Sequence, residues 1–215
     1  MNPLHTKLRV SMAAYAKSRV KLSCAFTLLE LLVVISIIAL VAGMIVPSMN
    51  SILQGTNLEQ GARTVVDQIS LARQIASTRN CTTQICLIKL SGSSGKGYGA
   101  MQIRTPGKTG TMTAAAKLAT LPQSMVISED GTNLSKILPI LTDTGTMTVG
   151  GASVPYVAFS LRPSGVVVPV LSGSSRANLY MTVVPARFAD ATTLPPNNAV
   201  IQINPDSGTP LVFRP

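Results

Sequence analysis

FTLLELLVVISIIALVAGMIV, residues 26–46, is an almost wholly apolar run that holds a single acid, Glu30. A basic leader precedes this run, and Pro47 follows it. Because a bilayer-spanning helix needs roughly 20 apolar residues, the length predicts one transmembrane segment. A carboxylate inside such a segment costs about 2.5–3.5 kcal/mol on insertion scales, so the sequence predicts that Glu30 has a partner.

The leader, residues 1–25, sets the expected orientation. The chain has 215 residues and a formal net charge of +10, from 18 basic and 8 acidic residues. Five of the basic residues and none of the acidic ones lie in the leader, so a chain without it has 13 basic residues against 8 acidic ones and a charge of +5. Positive charge holds the adjoining segment in the cytoplasm, which predicts that the C-terminal part lies on the other side of the membrane.

The stretch AFTLLELLVVI, from Ala25 to Ile35, resembles the cleavage and methylation signal of type IV prepilins and type II secretion pseudopilins. The resemblance implies cleavage between Ala25 and Phe26 by a prepilin peptidase, followed by methylation of the new Phe26 amine. It implies that Glu30 is the family's assembly acid and that Pro47 kinks the N-terminal helix. The family usually has glycine before the cut, where this chain has Ala25.

The chemistry of Glu30 supports the same role. Cleavage would expose a cationic amine at Phe26, and Glu30 lies one helical turn away, at the helix end where the dipole favours an anion. In a stack of such helices, Glu30 of one subunit can neutralise the amine of its neighbour and set the register. The alternative is a single-pass envelope protein that does not polymerise, in which Glu30 is an isolated acid near the end of a signal anchor.

After the apolar run, residues 47–80 continue as an amphipathic helix. Apolar residues recur at spacings of three or four and form one stripe: Leu58, Ala62, Val65, Ile69, Ala72 and Ala76. Residues 81–215 then change to short apolar segments with many glycines and prolines, which predicts an extracytoplasmic, β-rich globular domain. The predicted fold is α+β and pilin-like, with a long N-terminal helix packed on an antiparallel sheet.

Strands are predicted from β-branched and alternating segments, at residues 82–90, 100–104, 154–160, 166–171, 179–184, 199–204 and 210–213. Turns are predicted at residues 162–165 and 205–208, and a short helix at residues 114–119.

A second resemblance concerns the stretches at residues 62–66, 71–80, 85–87, 159–165 and 201–208. They are similar to the H-type minor pseudopilins and their FimT relatives, and the whole chain also resembles the pilin-like D protein of the Verru_Chthon cassettes. The resemblance implies a minor subunit of a type II secretion or type IV pilus-like fibre. Its expected partners are the bacterial inner membrane, the prepilin peptidase/methyltransferase and other pilin or pseudopilin subunits.

Two cysteines, Cys81 and Cys86, lie outside the leader. Five residues of strand would place them on opposite faces and roughly 16 Å apart, whereas a disulfide needs Cα atoms within about 7 Å. A bridge therefore requires a turn between them. Two separate thiols are the default interpretation, and one disulfide is the alternative.

Few groups are available for catalysis or metal binding. The one histidine, His5, lies in the leader, so the mature chain would have neither a histidine-based triad nor a histidine metal site. Glu129, Asp130, Asn133 and Asp143 could supply oxygen ligands to calcium, but a polar turn is the simpler interpretation of the first three. We expect no enzymatic activity, no cofactor and no bound metal.

A binding function is the remaining alternative. Arg162, Arg176, Arg187 and Arg214 lie in the C-terminal half, basic loop residues can contact phosphates, and some FimT-type minor pilins take up DNA. Aromatic residues are few and the basic residues form no dense cluster, so a solvated surface is the simpler interpretation. A DNA- or substrate-binding minor pilin at a fibre tip is the alternative.

Overall fold

The computed structural model describes residues 27–90, 96–130, 132–141, 143–168 and 179–214, without the side chains of residues 44–52. The predicted leader and the predicted cleavage site, Ala25 and Phe26, lie outside the described residues. The chain forms two compact units that divide between Ile45 and Val46, and helix α1 (Leu28–Arg79) contributes to both.

In the first unit, α1 exposes its large apolar side chains. From Leu28, which is 84% exposed, to Val41, which is 47% exposed, none of them is buried. The predicted span, residues 26–46, extends beyond the described side chains at both ends. In the described part of the chain, no helix is both long enough and apolar enough to cross a membrane.

In the second unit, α1 buries one stripe. All six apolar residues predicted from their spacing are buried: Leu58, Ala62, Val65, Ile69, Ala72 and Ala76. The helix ends where Asn80 adopts a left-handed backbone conformation, with φ of 48°. The Cys81 N–H then donates to the Ala76 carbonyl at 3.2 Å, which is the closing hydrogen bond of a Schellman motif.

The strands form two antiparallel sheets. The larger sheet has the order β3-β2-β1-β7-β6, with β4 beside β2 and β8 beside β7. Its strands are β1 (Thr83–Ile88), β2 (Ala100–Pro106), β3 (Met112–Ala114), β4 (Ala119–Thr120), β6 (Asp143–Val149), β7 (Ala152–Leu161) and β8 (Val167–Val168). The smaller sheet has the order β11-β10-β9-β5. It contains β5 (Met125–Ile127), β9 (Tyr180–Pro185), β10 (Ala199–Ile203) and β11 (Pro210–Phe213).

The α+β fold class is confirmed, but the strands divide between two sheets. The short helix predicted at residues 114–119 is wrong: β3 ends at Ala114 and β4 begins at Ala119. Ala115 donates its N–H to the Ile103 carbonyl of β2 at 2.8 Å, so contacts with the sheet override the helical propensity of this alanine-rich segment.

One core joins the second half of α1 to both sheets. It includes Ile69 of the helix, Ile85 and Phe159 of the larger sheet, and Met181 and Ile201 of the smaller one, all of them 0–1% exposed. Burial of such side chains contributes about 1.5–3 kcal/mol each relative to exposure, so this core dominates the stability of the second unit.

Two glycine turns also connect the sheets. Gly165 lies between β7 and β8, Gly208 lies between β10 and β11, and both have positive φ, 88° and 65°. A Cβ at Gly208 would lie 2.7 Å from the Gly165 carbonyl oxygen, and the Val167 N–H donates to the Pro205 carbonyl at 2.8 Å. Both turns were predicted, and their glycines permit the close approach of the two backbones.

Candidate functional site

The start of α1 is fixed by a threonine cap. The Glu30 N–H donates to Thr27 Oγ1 at 3.1 Å, and the Leu31 N–H donates to the Thr27 carbonyl at 3.2 Å. Thr27 is therefore the N-cap, and Glu30 occupies the third helical position. Threonine followed three residues later by glutamate is the sequence signature of a capping box, so this spacing could have identified Thr27 before the structure.

The position of Glu30 explains its local compatibility with an apolar segment. Its carboxylate belongs to the first turn of α1, where the unpaired N–H groups and the helix dipole favour a negative charge by about 0.3–1 kcal/mol at a solvent-exposed site. This benefit is smaller than the cost of about 2.5–3.5 kcal/mol for placing an acid within a membrane. The helix end alone therefore leaves most of that cost for a partner to offset.

A continuous apolar surface follows Glu30. Large side chains of the first unit that are about half exposed or more include Leu31, Leu32, Ile35, Ile37, Ile38 and Leu40. The one hydroxyl among them, Ser36 Oγ, donates to the Leu32 carbonyl at 2.7 Å and so satisfies its hydrogen bond within the helix. Exposed apolar patches this extensive mark protein–protein or membrane contact sites.

Residues 21–46 match the model of the prokaryotic N-terminal methylation motif. The match contains the capped helix start, Glu30 and the exposed apolar surface. The match covers 26 of the 215 residues and identifies a prepilin-type N-terminal motif in this chain.

Among curated proteins, none matches this prepilin-like chain. Among solved structures, it is similar to the minor pseudopilin EpsH from the Type 2 Secretion System of Vibrio cholerae, with 8% sequence identity and a TM-score of 0.42. The similarity covers 74% of this chain and 98% of that one.

The other predicted processing residues of the prepilin-like protein are not within the described site. Ala25 and Phe26 lie outside the described residues. At Pro47, α1 continues through the position, and the side chain is among those not described. The kink at Pro47 therefore stays a prediction.

The two cysteines are both free thiols. Cys81 is half-buried in the turn after α1, whereas Cys86 is fully buried in β1. The structure thus has the two separate thiols, and the alternative disulfide is not formed. Burial raises the pKa of the Cys86 thiol to about 11, so this group stays protonated and unreactive at neutral pH.

The oxygens considered for calcium are hydrogen-bonded to the protein itself. Glu129 accepts from Lys89 Nζ at 2.7 Å and also from the Gly97 N–H, and Asp143 accepts from Gln84 Nε2. Asp130 accepts from the N–H of Thr132 at 2.9 Å, which is the polar-turn arrangement. Within the described residues, no group of three or more histidines, cysteines or acids could hold a metal ion.

Two of the arginines considered for DNA binding, Arg187 and Arg214, make separate local contacts. Arg187 donates to Gln54 at 3.2 Å and stacks on Phe188, 4.8 Å from the ring centre. Arg214 forms an ion pair of 3.5 Å with Glu59. Arg162 is exposed, and Arg176 lies outside the described residues. These contacts agree with the interpretation of a solvated surface.

Proposed function

We propose that this protein is a minor pseudopilin of a type II secretion or type IV pilus-like fibre. It is cleaved between Ala25 and Phe26, methylated at Phe26 and assembled through α1. One observation carries the proposal: the methylation motif at residues 21–46 coincides with the capped start of α1 and its exposed apolar surface. The resemblance to H-type pseudopilins supports the assignment as a minor subunit.

Before assembly, residues 26–46 anchor the chain in the bacterial inner membrane as a single span. The basic leader, residues 1–25, stays in the cytoplasm until it is removed, and the globular part lies outside. In the fibre, the same apolar surface packs against the helices of neighbouring subunits. The amphipathic segment, residues 47–80, connects it to the extracytoplasmic domain, residues 81–215.

Glu30 sets the register in this assembly. Removal of the leader creates a cationic amine at Phe26, and Glu30 of an adjacent subunit pairs with it in a medium where water does not screen the charges. The pair offsets the cost of burying each charge alone. A helix displaced along its neighbour would leave both charges buried and unpaired, which disfavours that register.

Mass spectrometry of the N-terminal peptide, from membranes of the native host, tests the processing. We expect a chain that begins at N-methylated Phe26. A chain that still begins at Met1 would contradict the proposal and would favour a single-pass envelope protein that does not polymerise. A chain that begins at unmethylated Phe26 would contradict only the methylation step.

Quantitative mass spectrometry of purified fibres tests the assignment as a minor subunit. We expect far fewer copies of this chain than of the most abundant pilin in the same fibre. Equal abundance would contradict the minor role and leave the pilin-like function intact.

A further inference from the structure

The edge strand β11 exposes three consecutive apolar side chains. Leu211, Val212 and Phe213 are 56%, 41% and 53% exposed, and within the described residues β11 pairs with β10 alone. Proteins usually protect an exposed sheet edge with charges, bulges or covering segments, because its unpaired backbone groups bind other strands. An apolar, uncovered edge is a surface suited to strand pairing.

The outward hydrogen-bonding groups of β11 follow from its pairing with β10. The Ile203 N–H donates to the Leu179 carbonyl at 2.7 Å and so points to the β9 side. The Asn204 N–H donates to the Thr209 carbonyl at 3.0 Å and so points to the β11 side. The direction alternates along an antiparallel strand, so Ile201, like Ile203, points its backbone groups to β9. Val212 lies opposite Ile201 in β11, and its N–H and C=O therefore point to the open edge.

The same alternation places Pro210 and Arg214 at outward positions. Proline has no N–H to offer, so Pro210 occupies an outward position at which no bond to β10 is lost. The open edge therefore offers the N–H groups of Val212 and Arg214 and the carbonyls of Pro210, Val212 and Arg214.

A groove of about 400 Å³ separates this edge from the second half of α1, and it is lined by Ala62, Arg63, Val66, Asp67, Val212 and Arg214. Arg214 is paired with Glu59 at one end. Asp67 lies eight residues further along α1, a rise of about 12 Å, which matches the roughly 14 Å between Arg214 and Pro210 along a strand. The groove thus has an acid toward its Pro210 end, and no ion pair joins Asp67 to a described residue.

We propose that β11 pairs antiparallel with β11 of a second copy of this chain, about a two-fold axis at Val212. Val212 then lies opposite the partner's Val212, and the two residues exchange two hydrogen bonds. The Arg214 N–H of each copy donates to the Pro210 carbonyl of the other, which adds two more. On the outer face, Leu211 of each copy packs beside the partner's Phe213, an aliphatic–aromatic pair of the kind that stabilises antiparallel strands.

The charges of Arg214 and Asp67 favour this register and favour a second copy of this chain as the partner. The partner's Arg214 lies opposite Pro210, at the end of the groove where Asp67 lies. The two Arg214 residues are roughly 14 Å apart, which exceeds the Debye length of about 8 Å at physiological salt. An axis at Arg214 would oppose like charges, and an axis at Pro210 would lack central donors. Of the three outward residues, Val212 alone gives a bonded and neutral centre.

The interface is small, because one short strand and the adjoining groove form it. We therefore expect an area below the roughly 1,200 Å² of stable complexes and a weak pairing of chains that are free in solution. Restriction of the chains to one membrane raises their effective concentration and favours the paired state.

Disulfide trapping of the full chain tests the proposal in membranes of a bacterium that has no other pilins and no prepilin peptidase. In Val212→Cys, the two introduced cysteines face each other with Cα atoms about 5.5 Å apart, within the range for a disulfide. We expect mild oxidation to give a covalent dimer. The matched control is Leu211→Cys, whose side chain lies opposite the partner's Phe213, and it should give only the dimer level of the unmodified chain. Both variants keep the native cysteines, so these contribute equally.

Two further variants, made together with Val212→Cys, test the charge and the chemistry. Asp67→Lys should greatly reduce the covalent dimer because it places a like charge beside the partner's Arg214, whereas Asp67→Glu should retain it.

Equal dimer yields from Val212→Cys and Leu211→Cys would overturn the proposal. Trapping of a different subunit by Val212→Cys in the native host, with no homodimer, would overturn the choice of a second copy. Neither result depends on leader cleavage or on fibre formation.

Discussion

The two halves of α1 carry their apolar residues in opposite ways. In the first unit, large apolar side chains cover the described surface of the helix and are exposed, as Ile35 is at 55%. In the second unit, a narrow stripe is buried completely, as Ile69 is at 0%, and charged residues such as Arg63 and Asp67 occupy the exposed surface. The second half is thus packed within one chain, whereas the described apolar side chains of the first half are exposed, which fits the proposed role of this half in assembly.

The comparison predicts its largest effect at Glu30. Glu30→Ala should abolish co-purification with other pilins and leave membrane insertion intact, because the helix becomes more apolar and loses the partner of the neighbouring amine. Glu30→Gln should have the same effect, since it keeps the size and removes the charge. Co-purification from solubilised membranes measures both.

The matched control for Glu30 is Glu59 in the second half of α1. The pKa of the Glu59 carboxyl is lowered mainly by Arg63, which donates a hydrogen bond and carries a positive charge. The charge of Arg214 lowers it further. The ion pair of Glu59 with Arg63 is exposed, and exposed ion pairs contribute little free energy. Glu59→Ala should therefore leave assembly unchanged. Assembly lost equally in Glu30→Ala and Glu59→Ala would show that the two halves do not differ in the way proposed.

The next effect separates stability from assembly with one substitution type. Ile69→Ala should lower the free energy of unfolding of the globular domain by about 2–5 kcal/mol, because it leaves a cavity in the core. Ile35→Ala should leave that free energy unchanged and weaken co-purification with other pilins. Chemical denaturation of the detergent-solubilised chain gives the first quantity. Equal destabilisation by both substitutions would contradict the assignment of the core to the second half alone.

Glycines provide a third contrast between the two units. Gly208→Ala should destabilise the domain by roughly 1–3 kcal/mol, because its φ is positive and its new Cβ would meet the Gly165 carbonyl at 2.7 Å. Gly43→Ala should not destabilise the protein, since no atom beyond its chain neighbours and the adjoining helix backbone lies within 4 Å of the added Cβ. The thermal midpoints of the two variants measure this difference, and a lower midpoint in Gly43→Ala than in Gly208→Ala would contradict it.

The two halves of α1 also differ in what sequence reasoning could reach. The stripe from Leu58 to Ala76 was predictable because helical periodicity is local. Glu30 could be singled out as a candidate site residue because an acid in an apolar run is costly. The division of the strands into two sheets was not predictable, since it depends on pairings between distant segments such as β5 with β9. The helix wrongly predicted at residues 114–119 has the same cause: its local propensity is overridden by pairing with β2.

Thr27 gives the smallest predicted effect, and it tests why the first half of α1 begins where it does. Thr27→Val should remove the side-chain acceptor of the Glu30 N–H and cost about 0.5–2 kcal/mol at the helix end, whereas Thr27→Ser should retain the cap. In the second half, Thr64 Oγ1 donates to the Gln60 carbonyl at 2.8 Å within the helix, so Thr64→Val removes a bond that no cap depends on. Amide hydrogen exchange should therefore quicken at Glu30 and Leu31 in Thr27→Val and stay unchanged around Thr64 in Thr64→Val.

The same variant tests whether the cap positions Glu30 for assembly. Thr27→Val should weaken assembly, because a frayed first turn no longer holds Glu30 in place, but it should do so less than Glu30→Ala, because the carboxylate is still present. Full assembly despite faster exchange would show that the position of Glu30 does not depend on the cap.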